Sequence, residues 1–115
     1  MTTTFDERER AFESRFAHDE ELRFQARVRR NRLLAIWSGE RMRLTGEAAS
    51  GYVTSFTENA VVASDEALLV RLQVDLRASG IEEPLPSLHR EMERCVALAR
   101  REQRVGFALD QGSSA

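Results

Sequence analysis

Apolar residues recur along this chain at helical rather than strand spacing. Phe5, Phe12 and Phe16 stand at i, i+7 and i+11, one face of a 3.6-residue period. Charged residues fill the positions between them, and no Leu, Ile or Val joins the stripe. Asp19, followed by Glu20 and Glu21, has the form of a second helix start, because aspartate caps well and acids suit the first turn. Ala17, His18 and Asp19 therefore read either as a hinge or as a place where one long helix runs through. A single helix from Phe5 to Met42 would be about 57 Å long, more than a small bundle covers, so part of it must project or fold back. From Asp19 onward the expected apolar face is Leu22, Ala26, Leu33, Ile36, Trp37 and Leu44.

Three further stripes follow. Thr45-Gly46-Glu47 ends one helix and caps the next, which carries Ala49, Tyr52, Val53, Phe56 and Ala60. Ser64 is the expected N-cap of a third helix, with Asp65 and Glu66 in its first turn, Leu68, Leu69, Leu72 and Leu76 as its stripe, and Gly80 as its stop. Pro84 and Pro86 break the chain and restart it. The fourth stripe is Leu88, Met92, Cys95, Val96 and Ala99, ending near Gln103. No useful β-alternation exists. The pattern predicts an all-α protein: a four-helix bundle over residues 19–108, an N-terminal helical or partly disordered extension over residues 1–18, and a flexible tail over residues 109–115.

Charge changes this picture, because it is segregated. From Met1 to Glu21 seven acids face three arginines, a balance of −4; from Leu22 to Arg43 seven arginines face the single acid Glu40, a balance of +6. The basic stretch from Arg23 to Arg43 could serve nucleic-acid phosphates. The chain is net −2, however, and seven acids between Gly46 and Glu83 can neutralise those arginines within the fold. A solvated, internally paired face is the better reading, and no nucleic-acid partner is expected.

Composition bounds the chemistry. The 115 residues suit one domain. No run of residues is apolar enough for a membrane span or a signal peptide, so neither membrane insertion nor export is expected. The lone cysteine fits a reducing compartment. Lysine is absent, which removes Schiff-base and P-loop lysine chemistry. His18 and His89 are far apart, and Cys95 lies on an apolar stripe, where it reads as a small core residue. Neither a metal site, a cofactor site nor an enzyme is expected. The phenylalanine stripe has two readings: it packs on its own bundle, or it docks in a partner's groove as an amphipathic helix. Three of the six phenylalanines fall in the first 16 residues, which favours docking.

The stretch TTFDERERAFESRFAHDEELRFQARVRRNRLLAIW, Thr3 to Trp37, resembles the zeta subunit, the ATPase inhibitor subunit of alphaproteobacterial F-type ATP synthases. The family's FD-RE-AFE-KFAHDEEL pattern falls on Phe5, Asp6, Arg8, Glu9, Ala11, Phe12, Glu13, Phe16 and Ala17 to Leu22, with Arg15 where lysine is common. LTGEAASGY (Leu44 to Tyr52) and DLRASGIE (Asp75 to Glu82) resemble later family segments. Pro84-Leu85-Pro86 departs from the family's more polar entry to its last helix.

The resemblance implies a four-helix bundle whose N-terminal segment enters an interface between the alpha and beta subunits of the catalytic head, against the gamma shaft, and blocks ATP hydrolysis. The physical reading agrees: a wedge needs apolar anchors and charges that fix register, and here Phe5, Phe12 and Phe16 read as the anchors, with Asp6, Glu7, Arg8, Glu9 and Arg10 pairing to cleft charges. The resemblance also implies a cytoplasmic protein, monomeric when free and peripheral to the inner membrane through the synthase. Weak adenine nucleotide binding on the bundle is suggested by resemblance only, since no nucleotide motif is present. The competing readings are a helical adaptor or regulator of another partner, or a nucleic-acid binder using Arg23 to Arg43.

Overall fold

The computed structural model describes residues 3–113, with side-chain environments over residues 4–106. Four helices follow in order: α1 (Thr3–Arg41), α2 (Gly46–Ala60), α3 (Asp65–Ala78) and α4 (Leu85–Ser113). Their lengths differ greatly. At 1.5 Å per residue α1 is about 58 Å long, whereas α2 and α3 are about 22 and 21 Å. α1 packs against α4 and α2, and α3 lies mainly on α4. The short helices can cover only the C-terminal half of α1, so the molecule is elongated, 68 × 33 × 23 Å. Its radius of gyration is 18.7 Å, against about 13 Å for a compact chain of this length.

Local chemistry sets the helix ends. The Ser64 side chain accepts a hydrogen bond from the Ala67 amide at 3.1 Å and so caps α3, with Asp65 and Glu66 in the first turn. Gly80 takes a positive φ of 82° beyond the end of α3. The Ile81 and Gly80 amides then return to the carbonyls of Leu76 and Arg77, closing a Schellman turn that an L side chain would strain. The end of α1 uses Arg43 at φ 60° for the same purpose, with the Leu44 amide bonded to the Gly39 carbonyl at 2.9 Å.

The core joins Leu34 and Ala35 of α1, Phe56 and Ala60 of α2, Leu68, Leu69, Leu72 and Leu76 of α3, and Leu88, Met92 and Cys95 of α4. The stripes read for α2, α3 and α4 are those that pack. For α1 the face is rotated from expectation. Leu34 and Ala35 are fully buried, while Leu33, Ile36 and Trp37 are only half-buried, and Arg30, Asn31 and Ser38 enter the interior with them. Because α1 is gripped by α2 on one flank and α4 on the other, its buried face is wider than an apolar stripe alone suggests. The polar members are satisfied: Arg30 donates to the Asn31 side chain and pairs with Asp65 at 3.0 Å. Ser38 lies 3.4 Å from the Tyr52 hydroxyl, which donates to Asp75 at 2.8 Å.

Two stretches differ from the reading of the sequence. α1 passes through Ala17, His18 and Asp19 as continuous helix, so the run-through alternative is the conformation observed rather than a bend. Strong helix formers lie on both sides and neither glycine nor proline interrupts them, so one capping residue cannot stop propagation. α4 likewise continues to Ser113, through positions 109–113 of the expected flexible tail; positions 114 and 115 lie outside the described residues. Gly106 weakens the helix there by about 1 kcal/mol relative to alanine, but no proline ends it.

Burial pushes the Cys95 thiol up to about 11, and the nearby Glu91 carboxylate adds to the effect. Burial likewise pushes the Tyr52 phenol up to about 12. Both groups bind their proton more tightly folded than unfolded. Their stabilisation is therefore complete below the unfolded values of 9.0 and 10.0 and is lost as pH rises towards the folded ones. The denaturation midpoint should stay flat from neutrality to about pH 9 and then fall. At neutral pH Cys95 should be inert to aqueous disulfide reagents until denaturant is added. Rapid native-state labelling would show that the α4 core is open.

Candidate partner-binding arm

Every residue from position 4 to position 21 is exposed, and burial begins with the half-buried Leu22. There the Gln103 side chain of α4 donates to the Leu22 carbonyl at 2.9 Å. The exposed stretch thus runs three residues past position 18, where the sequence reading ended the arm. The arm is helical without any tertiary partner among the described residues. Helix nucleation is costly, but here the buried half of α1 supplies the nucleus and the arm only propagates it. Asp6 in the first turn complements the helix dipole, and Glu20 pairs with Arg23 at 2.9 Å across one turn.

Phe5, Phe12 and Phe16 are 72, 71 and 60% exposed. Largely exposed phenylalanines in a row are unusual on a monomer's surface. Their direction explains why they are bare. On α1 they share an azimuth with Leu34, so the apolar track that enters the core simply overshoots the end of the bundle. α2 and α3, at 15 and 14 residues, are too short to cover it. Asp6, Glu7, Arg8, Glu9 and Arg10 surround the track, all exposed. His18 is exposed in mid-helix, with Ala17 and Asp19 exposed beside it.

Two apolar residues that the sequence reading did not single out extend this surface. Phe24 and Val28 are 57 and 42% exposed, and with Gln25, Arg29 and Arg32 they line a shallow depression on the flank of α1. Their i, i+4 spacing was visible in the sequence. Only the position of α2 and α4 shows that this flank is uncovered.

The basic half of α1 is largely tied into the bundle. Arg30 pairs with Asp65 at 3.0 Å, Arg41 with Glu83 at 3.4 Å and Arg29 with Glu102 at 3.7 Å, while Arg27 donates to the Ala63 carbonyl at 2.8 Å. Asp65 and Glu83 are among the acids expected to neutralise this stretch, and Glu102 adds to them. Arg23 and Arg27 of α1 nevertheless open onto a pocket at the base of the arm. It is closed by Asp65 and Glu66 of α3 and by Val96, Arg100 and Gln103 of α4.

Among the described residues no cluster of His, Cys, Asp and Glu could hold a metal ion, and no helix is long and apolar enough to cross a membrane. What the surface offers is an exposed helical rod with a phenylalanine track, on a packed base. No curated protein and no solved structure matches this chain. The family model described as ATPase inhibitor subunit zeta matches residues 1–102, arm and bundle together, and the chain therefore belongs to the ATPase inhibitor subunit zeta family.

Proposed function

We propose that this subunit inhibits ATP hydrolysis by an F-type ATP synthase, with its N-terminal arm as a wedge in a catalytic alpha/beta interface of the head and against gamma. The observation that carries this reading is the bare phenylalanine track on a helix that projects clear of its own fold. A wedge needs no catalytic group. It needs an apolar face to fill a cleft and charges to fix register, and the arm has both: Phe5, Phe12 and Phe16, with Asp6, Glu7, Arg8, Glu9 and Arg10 around them. An arm already helical, joined to a rigid base, orders at a lower entropic cost than a coil would. The bundle is far wider than one helix and acts as a stop at the mouth of the cleft.

Adding the protein to the isolated ATPase head tests the reading: hydrolysis should fall to a low plateau at saturation. The pair Phe12→Ala and Phe16→Ala should weaken inhibition by about 2–4 kcal/mol, roughly 30- to 1000-fold in the half-inhibiting concentration. Thermal stability should not change, since both side chains are exposed and neither belongs to the core. A double variant as potent as the parent would remove these two residues from the contact.

A further inference from the structure

The pocket at the base of the arm has a volume of about 630 Å³ and four arginines in its lining: Arg23, Arg27, Arg30 and Arg100. Asp65 neutralises Arg30 at 3.0 Å, which leaves three guanidinium groups facing one further acid, Glu66. Arg27 is held by a carbonyl and not by a carboxylate. Among the described residues Arg23 pairs only with Glu20 one turn back, with both side chains more than half exposed, a contact that a partner can replace at little cost. Among the described residues Arg100 makes neither an ion pair nor a side-chain hydrogen bond.

This positive pocket lies on the same face of α1 as the phenylalanine track. Phe5, Phe12, Phe16, Arg23, Arg27 and Arg30 span only about 60° of helix circumference, and Phe16 and Arg23 are about 10 Å apart along the axis. Whatever receives the phenylalanines therefore meets the pocket next. We infer that the arginine pocket is a second docking site, which takes a carboxylate-bearing segment of the ATPase head at the rim of the cleft that the arm enters. The inference rests on the wedge reading. It adds a device for direction and depth. The rod is acidic at its tip and basic at its base, so a cleft of matching polarity accepts it one way round and stops it where the sign changes.

The onset of inhibition of the isolated head at low and high salt tests this. Arg100 is on α4, outside the arm, so Arg100→Glu alters the pocket and leaves the wedge intact. At low ionic strength Arg100→Glu should slow onset by about three- to tenfold, and Arg23→Glu with Arg100→Glu by roughly ten- to a hundredfold, with the same final extent of inhibition. Arg100→Lys should restore the parent rate, and the differences should shrink at high salt. Both positions are exposed, and unchanged circular dichroism would show that the bundle persists. Parent and Arg100→Glu onset rates that coincide at low salt would overturn the pocket while the wedge stands. A parent protein that does not inhibit would remove both. Suppression of the Arg100 effect by millimolar ADP or inorganic phosphate, with no change in inhibition, would assign the arginines to a free anion and overturn the docking role.

Discussion

A chain lacking residues 1–18 should inhibit no ATP hydrolysis at any concentration, while its bundle melts within about 4 °C of the full-length protein. The first expectation follows from the loss of Phe5, Phe12 and Phe16, the whole projecting apolar track. The second follows from burial: residues 4–18 are all exposed, so their removal takes nothing from the core. Removal of such surface changes stability by about 0.5 kcal/mol, and each kcal/mol shifts the midpoint of a domain this size by about 4–8 °C. The shortened helix also begins well, with Asp19 free to cap it and Glu20 and Glu21 in its first turn. Hydrolysis assays on the isolated head and thermal circular dichroism are the two measurements. Retained inhibition would move the functional surface to the bundle. A large fall in melting temperature would mean that the arm folds back onto its base.

Phe56→Ala should do the reverse. Phe56 is fully buried at the centre of the bundle, with the Tyr52 ring 6.0 Å away and the Arg71 guanidinium 5.0 Å from its own ring. Truncating a large buried aromatic costs about 3–5 kcal/mol, through lost transfer energy and the cavity left behind. That is a large part of the 5–15 kcal/mol typical of a whole domain, and the melting temperature should drop by roughly 15–30 °C. At a temperature where the variant is still folded, inhibition should be retained, because the arm is untouched. Urea unfolding followed by circular dichroism reads the first effect. A loss below about 1 kcal/mol would show a core that collapses freely around the cavity. The two variants together separate a base that only has to be stable from an arm that only has to be reachable.

Much of this architecture can be read residue by residue. Ser64 with Asp65 and Glu66 starts α3 and Gly80 stops it, because caps and positive-φ turns act within a few residues of chain. Leu68, Leu69, Leu72 and Leu76 pack as their spacing indicates, and so do Leu88, Met92, Cys95 and Ala99. The stripe of α1 was less legible. Leu34 and Ala35 carry its packing, and Asn31 and Ser38 are buried beside them. No count of apolar positions finds a buried asparagine or serine; Asn31 is partnered by its chain neighbour Arg30, whereas the partner of Ser38, Tyr52, is supplied by tertiary contact. Asp19 shows the converse. It is a good start signal, yet it lies inside a helix because nothing upstream breaks propagation.

The four helices, the start and stop of α3, the core stripes of α2, α3 and α4, and the family follow from residue order alone, since each rests on local spacing or on a motif within a single segment; Thr45, read as the cap of α2, makes no side-chain cap bond. The tertiary structure decided which part of the longest helix is left bare. Exposure depends on what lies alongside. α2 and α3 end before they reach Phe16, so an apolar track that could have been core became an accessible surface. The same placement gathers arginines from α1 and α4 into one pocket, because helices far apart in sequence meet only when the bundle has packed.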